Sequence, residues 1–501
     1  MNFRVFQPRR SVSRCLLSLI GFAISLGSVS PAFALDGASP LRVNTFNGWK
    51  VFELVTQNNN ISSFADVGYS AGGTVNRGTF DGLGTYLSGS TMSIMVNHET
   101  SSAAISRVDV NLPNIKQMIA RQIDNGVTPA PASIVNGMGY AYDAIYDNTY
   151  HAVNTPNPVA SGAVGVGAYG NANFNRFCSG TSYLANSFGP GRGFVDQIYM
   201  TGEEETGGLF YALDSANRDL WRVQSTGTGS WENAALVDTG NTTHVAMVLS
   251  SDTTNDFIRL YVGQKGLDVN GDGSVSFLER NGLSGGTVYF FDPDAGFSAT
   301  DLPTTPITGK WTTTGTIGVD LREDKLEDIH TNPLDGTKLV FGDQTDGVYG
   351  MDLTFSFLGN ALDLVNSSVG IHQIYNRNAA NIDAPDNVTW TANNKLYVQE
   401  DGSNQDMWEL NPDGSGLLRI AQGDFGNGEP SGIIDVSAEV GYLPGSIFLT
   451  SVQGTPSQLA VLISPNAVRV PEPSTLVLAG VAALFGLALR RRARRQQLPT
   501  A

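Results

Sequence analysis

The 501-residue chain has two cysteines, five histidines and only 30 lysines and arginines against 47 acidic residues. Each scarcity excludes something. Cys15 sits in the N-terminal apolar run, so the body keeps Cys178 alone and a disulfide-braced scaffold is ruled out. Nine of the 30 basic residues are arginines near the two ends, at 4, 9, 10 and 14 and at 490, 491, 492, 494 and 495. Between Leu35 and Leu489, 21 basic groups therefore face all 47 acids, a net charge of −26. Such a surface repels nucleic acid and anionic lipid. It would also repel an anionic substrate unless bound cations offset it. Phosphate-cradling glycine loops and a Ser/His/Asp arrangement are missing as well. "GLSGG" at 282–286 fits the G-x-S-x-G spacing, but the strand-then-helix order a nucleophile elbow needs is reversed there.

What is present begins at the ends. Arg4, Arg9, Arg10 and Arg14 precede "CLLSLIGFAISLG", and Ala32-Phe33-Ala34 offers a small-x-small cleavage site. Residues 1–34 read as a secretory signal peptide, too short and wrongly flanked for an anchor. At the other end, 470–501 contains Pro471-Glu472-Pro473-Ser474, an apolar run over 475–489 and an arginine-rich tail. This reads as a short transmembrane helix with a positive cytoplasmic side, brief enough to be held transiently and then cut. Motif, helix and basic tail in this order resemble the PEP-CTERM sorting signal of Gram-negative bacteria. The resemblance implies handling by an exosortase and delivery to the envelope, the outer surface or the medium, in organisms that often make exopolysaccharide.

The body, 35–466, is rich in Gly, Asn, Thr and Asp, and its apolar runs are short, β-branched or aromatic, and bounded by turn residues. One helix is expected, in "LPNIKQMIARQIDNG", where Ile115, Met118, Ile119 and Ile123 recur at helical spacing and Gly126 stops the run. "GGLFYALDSANRDLWRV", "GGTVYFFDPDAG", "TKLVFGDQTDGVYGMDL" and "NKLYVQEDGSNQDMWELNPDGSG" each join an aromatic strand to an Asp-rich turn. Such units over some four hundred residues predict an all-β fold: a β-propeller of six or seven blades with few short helices. A pair of β-sandwiches is the competing architecture, but no linker divides the chain.

"DVNGDGSVSFLE", residues 268–279, has the spacing of a twelve-position EF-hand calcium loop. Asp268, Asn270 and Asp272 take positions 1, 3 and 5, Gly273 the sharp turn, Ser274 the carbonyl position, Ser276 position 9, and Glu279 the closing bidentate place. A strand-like segment precedes it, so a calcium staple is expected rather than a paired sensor.

Cys178 admits three readings: an inert buried thiol, an activated nucleophile, or a thiolate metal ligand shielded from oxidation by coordination. Glu203, Glu204 and Glu205 follow one predicted strand, and Asn97, His98 and Glu99 follow another. In a propeller, carboxylates at strand ends can point into the axis and converge on cations. His98 and His244 can be ligands or structural residues. His151, His330 and His372 have no context that points to a site.

"NHE" after a strand, "N-x-F-C-S-G" leading to "Y-M-T-G-E-E", "TTHVA" at 242–246, "KLEDIHTNPLDG" at 325–336, "APDNVTWTANNKLYVQEDG" at 384–402 and "EPSG" near 429 together resemble a diverged PhoX-type alkaline phosphatase. That resemblance implies a propeller with iron and calcium at its axis that hydrolyses small phosphate esters. It would make Cys178 an iron ligand and Glu204 with Glu205 the carboxylates of the "EE" motif. Glu327, Asp386, Asn387, Glu400 and Asp401 fall in its other ligand segments. The catalytic candidates are then Cys178, Glu204, Glu327 and Lys325. The last stands where the family has arginine, in Lys325-Leu326-Glu327 against Arg-Pro-Glu, with Arg322 nearby. The alternative is a non-catalytic, calcium-stabilised surface propeller that binds exopolysaccharide or protein.

Overall fold

Short strands that alternate large apolar side chains with small or polar ones, and that end in Gly, Asp or Asn, pair with their chain neighbours into antiparallel ladders. The computed structural model describes residues 41–470, apart from 58–77, 102, 147–151, 155–173, 254–255, 295–303, 316–321, 324, 380 and 424–427. The signal-peptide, transmembrane and arginine-tail expectations lie outside the described residues. Among those described, no helix is long and apolar enough to cross a membrane.

The chain is all-β with few helices, arranged as a β-propeller. Its inner strands are Phe80–Ser88, Phe177–Tyr183, Trp231–Val237, Leu326–Thr331, Pro385–Trp390 and Pro430–Asp435. Each touches the next, and the last touches the first, which closes a ring about an axis. The six or seven separate blades expected are not what the hydrogen bonds draw. Among the described residues they form five sheets of four or more strands, because two four-stranded runs between Trp231 and Asn376 join through Ile307–Thr312 into one nine-stranded sheet. Closure comes from the N-terminal side. Val43–Thr45 pairs with Leu418–Gly423, and Lys50–Thr56 pairs with Gln458–Ile463.

Among the described residues, six apolar clusters fill the spaces between neighbouring runs of strands. Each Leu, Ile, Val or Phe buried there contributes about 1.5–3 kcal/mol, and the sheets leave little edge uncovered. The expected helix forms over Leu112–Ile123, capped by the Asn111 side chain, and buries Ile115, Met118 and Ile119.

Candidate metal centre

Every inner strand carries the same irregularity at its start. The ladder register slips between Phe80 and Leu83, Trp231 and Ala234, Leu326 and Ile329, Pro385 and Val388, and Pro430 and Ile433. The same slip falls between Phe177 and Gly180, which stand opposite Glu203 and Thr201. A bulge bends its strand and re-aims a side chain. The second residues of these strands are Asp81, Cys178, Glu232, Glu327, Asp386 and Ser431. A second tier follows from one repeated backbone bond of 2.8–3.1 Å: Glu99, Glu204, Asp252, Gln344, Asp401 and Gln453 donate N–H to the carbonyls of Thr79, Arg176, Ser230, Lys325, Ala384 and Glu429.

The tiers converge. Ligand atoms of Asp81, Glu99 and Cys178 lie within 4.8 Å of one another, as do those of Cys178, Glu204 and Glu232, and of Glu232, Glu327 and Asp386. Cys178 and Glu232 each belong to two groups, so the three form one chain of donors. Few internal partners answer it. Gln453 donates to Asp81 and Glu99, each at 2.8 Å, and Ser179 donates to Glu232 at 2.6 Å. Cys178 Sγ lies 3.5 Å from Asp81 Oδ2. Asp81 Oδ1 is buried with no hydrogen bond, and Glu327 Oε1 has only the Lys325 ammonium, 3.2 Å away.

Two cations stand at the mouth. Arg176 Nη2 lies 2.7 Å from both Glu99 and Glu204, and Lys325 Nζ lies 3.2 Å from Glu327 and 3.4 Å from Asp252. Burial alone would lower both cations, but the ion pairs outweigh it and hold them charged. They do not neutralise the cluster. Burial and then neighbouring carboxylates push Asp81, Glu327 and Asp386 well above the usual carboxylate range. Burial, with smaller contributions from Asp252 and Asp328, puts Glu232 at about 7, and burial with Glu232 drives Glu204 to about 11. The Cys178 thiol is pushed up by burial and by Asp81. Crowded carboxyls of this kind keep protons or hold cations. The orphaned Asp81 oxygen and the mixed sulfur and oxygen donors fit a metal.

Below the tiers the axis is closed by amides and glycines. Asn387 lies 2.7 Å from Ser179 Oγ, and Asn233 donates to Asp328 at 2.5 Å. A Cβ on Gly82 would meet Gly180 N at 2.3 Å. Only glycine lets the first two inner strands approach so closely at this point.

The structure brings together Cys178, Glu204, Lys325, Glu327 and Asp386. Asp401 reaches the rim, where it accepts from Gln344 at 3.1 Å. Two expected ligands lie elsewhere. Asn387 belongs to the floor, and Glu205, two residues past the strand end, turns outward to accept from Asn175. Glu400 also faces away, accepting from the backbone of Asp383 and from Trp408. His98 is held by Gly78 and Ser106, and His244 by Thr243 and Asn360 while stacked on Phe357. Asp81, Glu232, Asp252, Glu429 and Arg176 were missed. A signal existed: an apolar residue or proline, a donor side chain, then a small or polar residue recurs as FDG, FCS, WEN, LED, PDN and PSG.

No EF-hand is shown at 268–279. A strand, Arg259–Gln264, stands in place of the entering helix, and a four-residue helix, Phe277–Arg280, follows. Glu279 is engaged in a capping box with Ser276, and its Oε1 accepts from the N–H groups of Val269 and Asn270. Asp268 accepts from Gly271, Asp272 and Gly273, and Ser274 donates to Asp272. Asn270 bonds Asp272 within the same turn.

Comparison with known proteins fits this picture at two levels. Residues 469–492 match the PEP-CTERM protein-sorting motif. A sorting signal of this kind implies export to the envelope or surface of a Gram-negative bacterium, and sorting by an exosortase. No curated protein matches in sequence. Among solved structures, Pseudomonas fluorescens PhoX in complex with vanadate, a transition state analogue, is similar with a TM-score of 0.54 and 13% identity, over 87% of this chain and 97% of that one. At that identity the likeness shows the fold: a remote structural relation to a propeller. A Bacteroides thetaiotaomicron protein of unknown function is also similar, at TM-score 0.37 and 10% identity, over 83% of this chain and 76% of that one.

Proposed function

We propose that the chain is an exported, metal-dependent phosphomonoesterase with iron and calcium at the propeller axis. The observation that carries this reading is the unbroken run of donors from Asp81 through Cys178 and Glu232 to Asp386, with Asp81 Oδ1 left unpaired in its midst. Thiolate and carboxylates around Cys178 suit iron, whereas the all-oxygen group of Glu232, Glu327 and Asp386 suits calcium. That a protein of similar fold binds vanadate, a transition state analogue, supports phosphoryl chemistry in this reading.

Bound cations would supply Lewis-acid polarisation of phosphoryl oxygens and an activated water. The chain's own groups do the rest. Arg176 and Lys325, partly exposed at the mouth, steer and orient the ester's anionic oxygens. Glu429 and Asp401 form a carboxyl pair in which burial and then Asp401 push Glu429 to about 11. That pair keeps a proton at neutral pH for a departing alkoxide. Turnover of an aryl phosphate by protein loaded with iron and calcium tests the reading. Lack of turnover with both metals supplied would overturn it.

A second reading, a non-catalytic surface module that binds exopolysaccharide or protein, is favoured by one fact. Both mouth cations are already paired with carboxylates of the cluster. Elemental analysis that finds calcium without iron would support this module.

A further inference from the structure

At the end of the propeller away from the axial carboxylates, a cleft of about 300 Å³ opens between the first two sheets. Asp81 is the second residue of its strand and Tyr86, on the cleft wall, the seventh. Five residues of strand separate them by about 16 Å, so the cleft is independent of the metal centre. Its size is that of a small-molecule site.

Sheet pairing builds one wall. Tyr86, Ser93 and Asp109 lie in one row across three strands, and Met95 and Arg107 in the adjacent row. Gly137 continues the first row opposite Asp109, with open space where a side chain would stand. Asp109 accepts from Ser93 at 2.6 Å and lies 3.2 Å from Arg107 Nε. Arg107 Nε forms a close ion pair with this carboxylate without a hydrogen bond, and the two terminal amines of Arg107 make no bond to the described residues. The facing wall brings Ser215, 8% exposed, whose buried Oγ has no partner. Beside it stands Arg218, bonded to the Tyr140 carbonyl and to Asp143.

A guanidinium whose terminal edge is unbonded takes a carboxylate through two parallel hydrogen bonds. Hydroxyls on both walls and a tyrosine edge are what a pyranose ring meets in a protein site, since the ring has polar edges and an apolar face. An inorganic anion would leave most of the cleft unfilled. From this arrangement we infer a second binding site, for a carboxylated sugar of the uronate class: the carboxylate on Arg107, hydroxyls on Ser215 and Ser93, and the ring against Tyr86.

Titration calorimetry of the folded body with glucuronate tests it, with glucose and inorganic phosphate as comparison probes. Saturable glucuronate binding is expected, at least about 10-fold tighter than glucose or phosphate, as loss of a bidentate charged contact implies. R107A should lose about 10-fold or more in affinity with an unchanged melting temperature. R107K should fall between, and S215A should weaken binding less. C178S should bind glucuronate as the parent does. No glucuronate binding at millimolar concentration, equal binding of glucose or phosphate, or unchanged affinity in a folded R107A protein would overturn the assignment.

Discussion

Two acidic regions of this protein have opposite fates. In the 268–279 loop, Asp268, Asp272 and Glu279 are surrounded by backbone N–H groups of their own turn, and Asp272 is held below its usual value by hydrogen bonds from Ser274 and Asn270. At the axis, the carboxyls of Asp81, Glu232, Glu327 and Asp386 face each other and Cys178, and burial pushes them up. The first set satisfies itself locally; the second cannot, because its members come from different strands whose backbone groups are spent on the ladders. A spacing motif therefore identifies donors, but whether they need an ion depends on what else already binds them.

Breaking the axis should give the largest effect. Cys178→Ser combined with Glu232→Gln is expected to abolish stoichiometric axial metal, read by elemental analysis, and to cut aryl phosphate turnover by at least about 100-fold, beyond the loss typical of outer partners. If both survive, the axial donors are as self-sufficient as the loop.

Protonation sharpens the same contrast in chelated protein. Glu232 has an ordinary value near 4.5 and stands at about 7 in the folded chain. Its folded value is raised, so stability is fully present below pH 4.5 and is lost as pH rises through 7. The melting temperature of the metal-free protein should fall across that window, by about 5 °C or more. Added divalent cation should restore it. A flat profile would mean that the carboxyls are compensated by groups already in the chain.

Effects at the mouth should be smaller. Arg176→Ala and Lys325→Ala should each raise KM for an aryl phosphate about 10-fold, the size of one charged hydrogen bond, with metal content intact. Loss of metal in either variant would make them braces of the cluster instead. The smallest change is expected in the loop. Glu279→Ala removes a capping box and should cost about 1 kcal/mol, or about 2 °C in melting temperature, without altering axial metal or turnover.

Strand-rich composition, the helix at 112–123 and the part of Cys178 and Glu204 in one cluster were legible in the sequence, because local alternation and strand ends are local properties. The grouping of strands into sheets was not, since Ile307–Thr312 joins two runs through pairs with Thr287–Pro293 and Ser368–Asn376 that no local pattern announces. Asp81 and Glu232 were missed because each is a single acid in an ordinary strand, and only the bulge repeated in every inner strand turns it to the axis. Glu205 was over-read for the converse reason. Adjacent residues of an extended chain point to opposite sides, so a glutamate triplet cannot all face one ion.

The seam made by Lys50–Thr56 with Gln458–Ile463 has a consequence for biogenesis. Partners some four hundred positions apart must meet before the circle shuts, a long-range pairing that is slow by nature. Because the matched sorting segment starts at residue 469, the shutting strand leaves the exporter almost together with it. Until that moment the half-made ring has one unlatched side, and deletion of either latch strand would leave a secreted chain open to proteases.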